Sequence, residues 1–247
     1  MSVPVDRLTE QLHGYIGDID PSSRKGRRRL AIIEAATARF KAEGYRATSM
    51  DDIAADVGVA KGTLYLYFPK KIDLLIACSA REKLEWIPRF TAVFDPSTGS
   101  AAVRLKRWLT LLLTLPGESL NMRLLEDGVE EILAEMPQEL VAQGNANVAE
   151  YIAPMLDEVA GHHRWSLVEL VDRANVLRAL AHLGPVLRHE HNHPGMSTQR
   201  FAAILADLVV DGLRPRPPGD VPADVNDPPS PSSVSADKDS TESGEAP

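Results

Sequence analysis

Apolar residues in the first third of the chain recur every three to four positions, in short stretches of which the first two close on glycine. Leu30, Ile33, Ala36, Thr37 and Phe40 share one helical face, and that run ends at Gly44. Ser49 is placed to cap a second helix, with Asp52 at the third position of a capping box. Ile53, Ala54 and Val57 form its apolar side, and Gly58 suits a left-handed stop. In a third short helix Leu64 and Phe68 fall together, while Gly62 and Leu66 point the opposite way, flanked by Thr63 and Tyr65. A helix this short is not stable alone in water, so its Leu64 side must lean on other helices. Its other side offers Lys61, Gly62, Thr63, Tyr65, Leu66 and Tyr67, with Lys70 and Lys71 just beyond.

The same spacing continues through the rest of the chain. A helix is predicted over about 72–90, with Trp86 and Phe90 on its inner face and Pro88 as a kink or end. Further helices are predicted over 101–115 (Trp108, Leu109, Leu112 inward), 118–135 (Leu125, Val129, Leu133) and 138–159. Residues 95–99, Pro116-Gly117 and Pro137 punctuate them. Ser166 and Ser197 are N-caps for two last helices, over 166–189 and 197–213. No Val/Ile/Thr alternation predicts a sheet. The fold class is therefore all-α, with an N-terminal three-helix unit at 24–71 and a helical domain at 72–214. Residues 1–23 carry only a weak helical pattern near 5–16 and read as a flexible arm. From 215 the composition turns to Pro, Ser, Asp and Glu, which predicts a disordered acidic tail at 215–247.

Charge changes this picture more by its placement than by its sum. The 247 residues carry a net −8, yet residues 24–71 hold eleven Lys or Arg against five Asp or Glu. A basic module on an acidic body orients the molecule toward phosphates at one end only. The single cysteine, Cys78, rules out a disulfide framework within the chain and sits beside Ile76 and Ala77 as a small core residue. No apolar run approaches the roughly 20 residues of a membrane span, and the N-terminus lacks a signal-peptide centre, so a cytoplasmic protein without membrane contact is expected. No G-x-S-x-G elbow, phosphate loop, H-E-x-x-H motif or Cys-rich metal motif is present, so neither an enzyme nor a cofactor is expected.

The stretch RRLAIIEAATARFKAEGYRATSMDDIAADVGVAKGTLYLYFPKKIDLL, Arg28 to Leu75, resembles the N-terminal domain of the TetR (tetracycline-repressor) family of bacterial transcriptional regulators. The resemblance rests on an ordered set of landmarks: the first helix ending in Phe40, Gly44-Tyr45, Thr48-Ser49, Ile53-Ala54, Gly58-Val59, and Gly62-Thr63-Leu64-Tyr65 followed by Tyr67-Phe68. It implies a helix-turn-helix whose Lys61, Gly62, Tyr65 and Leu66 lie near base edges. Thr48, Ser49, Thr63, Tyr67 and Lys71 would then contact phosphates, with Arg28 and Lys70 adding positive charge. The residue types suit those tasks: lysine donates to guanine O6/N7, glycine permits close backbone approach, and leucine meets a thymine methyl. The run Arg24 to Arg29 has two readings, a solvated start of a helix or an arm that tracks the DNA backbone or enters the minor groove. Two positions depart from the family pattern. Ala60 replaces a common serine, removing a cap worth about 1 kcal/mol, and Lys70-Lys71-Ile72 replaces a Ser-Lys-Glu cap.

By the same resemblance the body would bind an apolar small-molecule effector and the last two helices would pair with their copies as a homodimer on a palindromic DNA operator. Repression is the expected output; activation or a ligand-independent regulator are the alternatives. Candidate effector residues are Trp86, Phe90, Trp108, Leu112, Met122, Leu125, Glu126 and Val129; an ordinary closed core is the simpler reading of each apolar one, and a surface position suits Glu126 equally well. Candidate dimer residues are Leu170, Ala174, Leu177, Ala181, Phe201, Leu205 and Leu208. A dimer has a physical reason, since one short recognition helix reads few bases. His189, His191 and His193 alternate in a loop without a scaffold, and no metal is expected there.

Overall fold

The computed structural model describes residues 4–114, 119–120, 123–124, 129–140, 142, 150–180, 183 and 195–214. Among these residues there is no strand; the ordered elements are helices joined by short turns. Met122, Leu125, Glu126, Ala181, the three alternating histidines and the tail from 215 lie outside the described residues.

The chain opens not on a flexible arm but on a helix, α1 (Pro4–Ile16), which lies along α5 (Lys71–Phe94) and buries Leu12 and Ile16. Its apolar side joins the core of the N-terminal unit, a contact that the weak local pattern did not announce. Gly17, at φ +72°, ends it, and its N–H donates to the His13 carbonyl at 2.9 Å. The next residues fold back on themselves: Asp20 accepts from the Ser22 N–H at 2.8 Å, and Ser23 accepts from the Gly26 N–H at 2.7 Å. Ser23 thereby caps α2 (Arg24–Glu43), so the basic run forms the first turns of a helix rather than an extended arm. Gly26 is required by this turn, because a Cβ there would stand 2.3 Å from the Asp20 carbonyl oxygen. Gly26→Ala should lower stability by about 1–3 kcal/mol, the usual cost of forcing atoms into a filled site. A thermal melt, with trypsin cleavage of residues 1–23 as a second readout, checks this; an unchanged melt and cleavage rate would refute the docking of that segment.

α2, α3 (Met50–Val57) and α4 (Lys61–Tyr67) share one core with the first half of α5. Ile32, Ile33, Ala36, Phe40, Ile53, Leu64, Leu74 and Leu75 are completely enclosed in it. Cys78 lies there too, its Sγ 3.5 Å from the Ile33 carbonyl and its thiol pushed up to about 12 by burial, which makes it an inert core residue. α5 continues past Pro88 to Phe94, so the proline does not end the helix.

The core does not stop at the end of the N-terminal unit. Leu120, Leu124 and Ile132 are buried in the same cluster, with Met136 and Leu140 packed against it. Two polar links accompany them. The buried Glu82 carboxylate accepts from the Leu120 N–H at 2.8 Å and the Ser119 hydroxyl at 3.2 Å, and pairs with Lys41 Nζ at 3.0 Å. Tyr45 donates its hydroxyl to Glu135 at 2.7 Å, at the end of α7 (Val129–Glu135).

A second core joins the end of α5 to α6 (Ala101–Leu113), α8 (Ala153–Ala160), α9 (Leu167–Ala179) and α10 (Thr198–Leu213). Of the helix expected over 138–159, only the C-terminal end falls within α8, with Pro154 in its first turn, while 141 and 143–149 lie outside the described residues. Ser166 and Ser197 cap α9 and α10 as the sequence predicts. No helix among the described residues is long and apolar enough to cross a membrane.

Candidate nucleic-acid interface

α3 and α4 owe their relative placement to a few local signals. Ser49 accepts from the Asp52 N–H at 3.1 Å, and Gly58 takes the left-handed conformation (φ 66°, ψ 40°) that closes α3. α4 then starts at Ala60 with no side-chain cap, as its missing serine foretells. Leu64 and Phe68 are buried, and the opposite side of α4 is open. Leu66 is 85% exposed and Tyr65 39%, with Lys61 and Gly62 beside them and Thr63 and Tyr67 half-buried at the edges. An exposed leucine flanked by tyrosine, lysine and glycine is an unusual helix surface for water, and a suitable one for a groove lined by methyl groups and hydrogen-bond acceptors. Among the described residues, nothing beyond its chain neighbours and its own helix backbone lies within 4 Å of a Cβ built on Gly62, so the packing does not require glycine there.

The geometry reassigns several residues that the sequence placed on phosphates. Thr48 is buried, and its hydroxyl donates to the Gly44 carbonyl at 2.8 Å; it shapes the turn before α3 and offers no side chain to a ligand. Lys71 is half-buried: its ammonium lies 4.3 Å over the Tyr45 ring and donates to the Tyr45 and Thr48 carbonyls at 2.8 and 3.1 Å. Burial depresses its pKa, with the Glu135 carboxylate opposing that shift. Lys71 therefore holds the loop that presents Ser49, in place of the outward role expected of it. Ser49 and Lys70 remain exposed. The Lys70 N–H is accepted by the Asp73 carboxylate at 3.1 Å, so the start of α5 keeps a cap despite the missing serine.

The basic run separates in the same way. Arg27 donates to the Pro21 and Ser22 carbonyls at 2.8 and 3.0 Å, and Arg29 points inward. Arg29 donates to the Ile16 carbonyl from Nε and to the Tyr67 carbonyl from Nη1 at 3.3 Å, with its guanidinium 4.3 Å from the Phe68 ring centre. Arg24 and Lys25 are exposed and Arg28 half-buried, at the mouth of the unit's basic side. Arg29 as a brace between α1 and the end of α4 was invisible in the sequence, because its partners are two backbone carbonyls.

Residues 32–78 match the family model described as bacterial regulatory proteins, tetR family. Over that stretch the chain carries an N-terminal domain of the tetR-family type. The similarity reaches beyond the domain: the chain is 24% identical over 186 residues, 75% of its length and 96% of the other, to the uncharacterized HTH-type transcriptional regulator YhgD of Bacillus subtilis. It is 43% identical over 68 residues to the HTH-type transcriptional repressor KstR of Rhodococcus jostii, a match covering 27% of this chain and 32% of that one. Among solved structures it superposes on AibR, crystallised with isovaleryl coenzyme A and operator DNA, with a TM-score of 0.53. That likeness, at 19% identity over 73% of this chain and 97% of AibR, is one of fold.

Other expected TetR-type sites fare unevenly. Phe90, Trp108 and Leu112 do come together in the second core, where Phe90 stacks on Phe94 (6.2 Å) and Phe94 meets Tyr151 (5.2 Å). Trp86 is buried one turn earlier on α5, with the Arg89 guanidinium 5.1 Å over its ring, and Val129 opens α7. The dimer residues of α9 require correction. Leu170, Ala174 and Leu177 are buried in the protein's own core, so they present nothing to a second copy. The outward apolar residues of that helix are Leu167, Val168 and Val176. On α10, Leu208 is exposed together with Ile204, while Phe201 and Leu205 are half-buried against Leu113 and Ala202.

Proposed function

We propose that this protein is a homodimeric repressor of the TetR family that reads an inverted-repeat operator with α4 of each copy and is released by an apolar small molecule. The observation that carries the reading is the open face of α4. Leu66, Tyr65, Lys61 and Gly62 are presented outward by a helix whose other side is locked by Leu64 and Phe68. Lys61 supplies donors to guanine, Leu66 meets a thymine methyl, and Gly62 lets the helix backbone come close. Ser49, Thr63, Tyr67 and the exposed Arg24, Lys25 and Lys70 surround that face with phosphate partners.

Dimerisation uses the outward residues of the last two helices. Ile204 and Leu208 lie one turn apart on α10, and Val168 and Val176 two turns apart on α9, so each helix carries an apolar stripe away from its own core. Single exposed apolar residues are ordinary; their recurrence on two helices that share a core favours an interaction surface. The effector reading draws on the packed aromatic cluster of Phe90, Phe94, Trp108 and Tyr151, and on the isovaleryl coenzyme A bound by AibR. Binding releases DNA only to the extent that the ligand prefers the conformation with α4 mis-spaced for successive grooves. With α4 seated in the operator, polymerase is excluded, hence repression.

Selection of duplexes from random DNA, with and without acyl thioesters, tests the whole reading: it should recover an inverted repeat and lose it when ligand is added. Recovery of no preferred duplex would reject it. Gly62→Ala gives a finer check. Because the position is open and helical, alanine should preserve or slightly raise stability, by up to about 1 kcal/mol. Operator affinity should nonetheless fall roughly 10-fold, from a methyl inserted between backbone and base edges; equal affinity in a filter-binding titration would remove Gly62 from the interface.

A further inference from the structure

Asp51 and Lys61 face each other across the turn between α3 and α4. Lys61 Nζ lies 2.8 Å from both carboxylate oxygens of Asp51, and both side chains are about 60% exposed. The pair joins the first turn of α3 to the first residue of α4, at the edge of the surface assigned to DNA. In water an exposed ion pair of this kind contributes little to stability, so its location is more informative than its strength. A carboxylate beside a helix meant for a polyanion is unfavourable by simple charge, unless it changes what the neighbouring cation does.

We propose that Asp51 is a specificity-determining residue that acts through Lys61. An unrestrained lysine at this point would donate to any phosphate within reach, adding affinity that is blind to sequence. Held between both oxygens of Asp51, the ammonium has part of its N–H capacity engaged and its charge partly balanced. A phosphate gains little from approaching such a pair. A neutral acceptor, guanine O6 or N7, still receives the remaining N–H without losing charge attraction, and the carboxylate itself accepts from a cytosine N4 amine. Asp51 thus lowers binding to unrelated DNA more than binding to the operator. The inference rests on α4 being the recognition helix and deepens that reading by naming what separates correct from incorrect duplexes.

The test uses wild-type protein, Asp51→Asn, Lys61→Met and the double variant, each confirmed as folded by circular dichroism. The probes are the duplex recovered from random DNA by wild-type protein and a scrambled duplex of the same composition, titrated at several salt concentrations. Asp51→Asn should bind the scrambled duplex about 10-fold more tightly at moderate salt, with the salt slope steeper by about one counterion per freed lysine. The selected duplex should gain less, so the ratio of the two affinities falls by about three- to ten-fold. In the Lys61→Met background the same change should leave the ratio unaltered. An unaltered ratio in the single Asp51→Asn variant, or an equal fall in both backgrounds, would overturn the proposal, the second by showing a general charge effect. Failure of wild-type protein to recover any preferred duplex would bring down the regulator reading instead, and this inference with it.

Discussion

Val176→Asp combined with Leu208→Asp should convert the protein to folded monomers and weaken operator binding by at least about 100-fold, through loss of the effective concentration that linked half-sites provide. Both positions are exposed, at 65% and 68%, so the substitutions leave the protein's own core intact. Four carboxylates facing one another across a two-fold interface would each lose solvation without a partner, a cost that apolar contacts of this size do not offset. Sedimentation should report one chain in place of two, while circular dichroism stays unchanged. The matched control is Leu170→Asp, which should unfold the body instead, since Leu170 is enclosed by its own chain. A double variant that retains the wild-type mass and operator affinity would move the interface elsewhere.

Arg29→Ala should cost about 2–3 kcal/mol of stability from hydrogen bonds to a charged group and a cation–π contact, scaled down for partial exposure. Its guanidinium ties the Ile16 carbonyl, the Tyr67 carbonyl and the Phe68 ring into one bracket. Gly17 makes room for it: a Cβ there would lie 2.9 Å from Arg29 Cζ. Removing the bracket frees the C-terminal end of α4, so operator affinity should fall about 10-fold although Arg29 points away from the open face of α4 proposed to read DNA. Arg29→Lys keeps the charge but not the planar fork, and should recover less than half of either loss. Denaturant unfolding and DNA titration separate the two effects; wild-type values in both would return Arg29 to the group of surface cations.

Much of the N-terminal unit is legible in the sequence because its signals are local. Ser49 with Asp52 starts α3, Gly58 stops it, and the alternation of Leu64 and Phe68 with Gly62 and Leu66 fixes which side of α4 is open. What the sequence misplaced depends on partners far along the chain. Lys71 looks like a surface cation until it is seen reaching carbonyls more than twenty residues earlier. Thr48 looks available until its hydroxyl turns back on Gly44. In the helix of residues 4–16, Leu8, Leu12, Tyr15 and Ile16 recur at helical spacing, but nothing local names α5 as the surface they dock on. On α9 the spacing was right and the assignment was not: the helix is apolar on two sides, and periodicity alone cannot tell the inward Leu170, Ala174 and Leu177 from the outward Val168 and Val176.

The pairs Tyr45–Glu135 and Lys41–Glu82, with Leu120, Leu124 and Ile132 embedded among α2 and α5, bear on how this protein can be re-engineered. A chimera that grafts residues 24–71 onto a foreign sensor would inherit a hydrophobic wall and a tyrosine without their mates. Grafts that also carry residues 1–23, α5 and 119–140 keep those mates, and are the ones that should transplant cleanly.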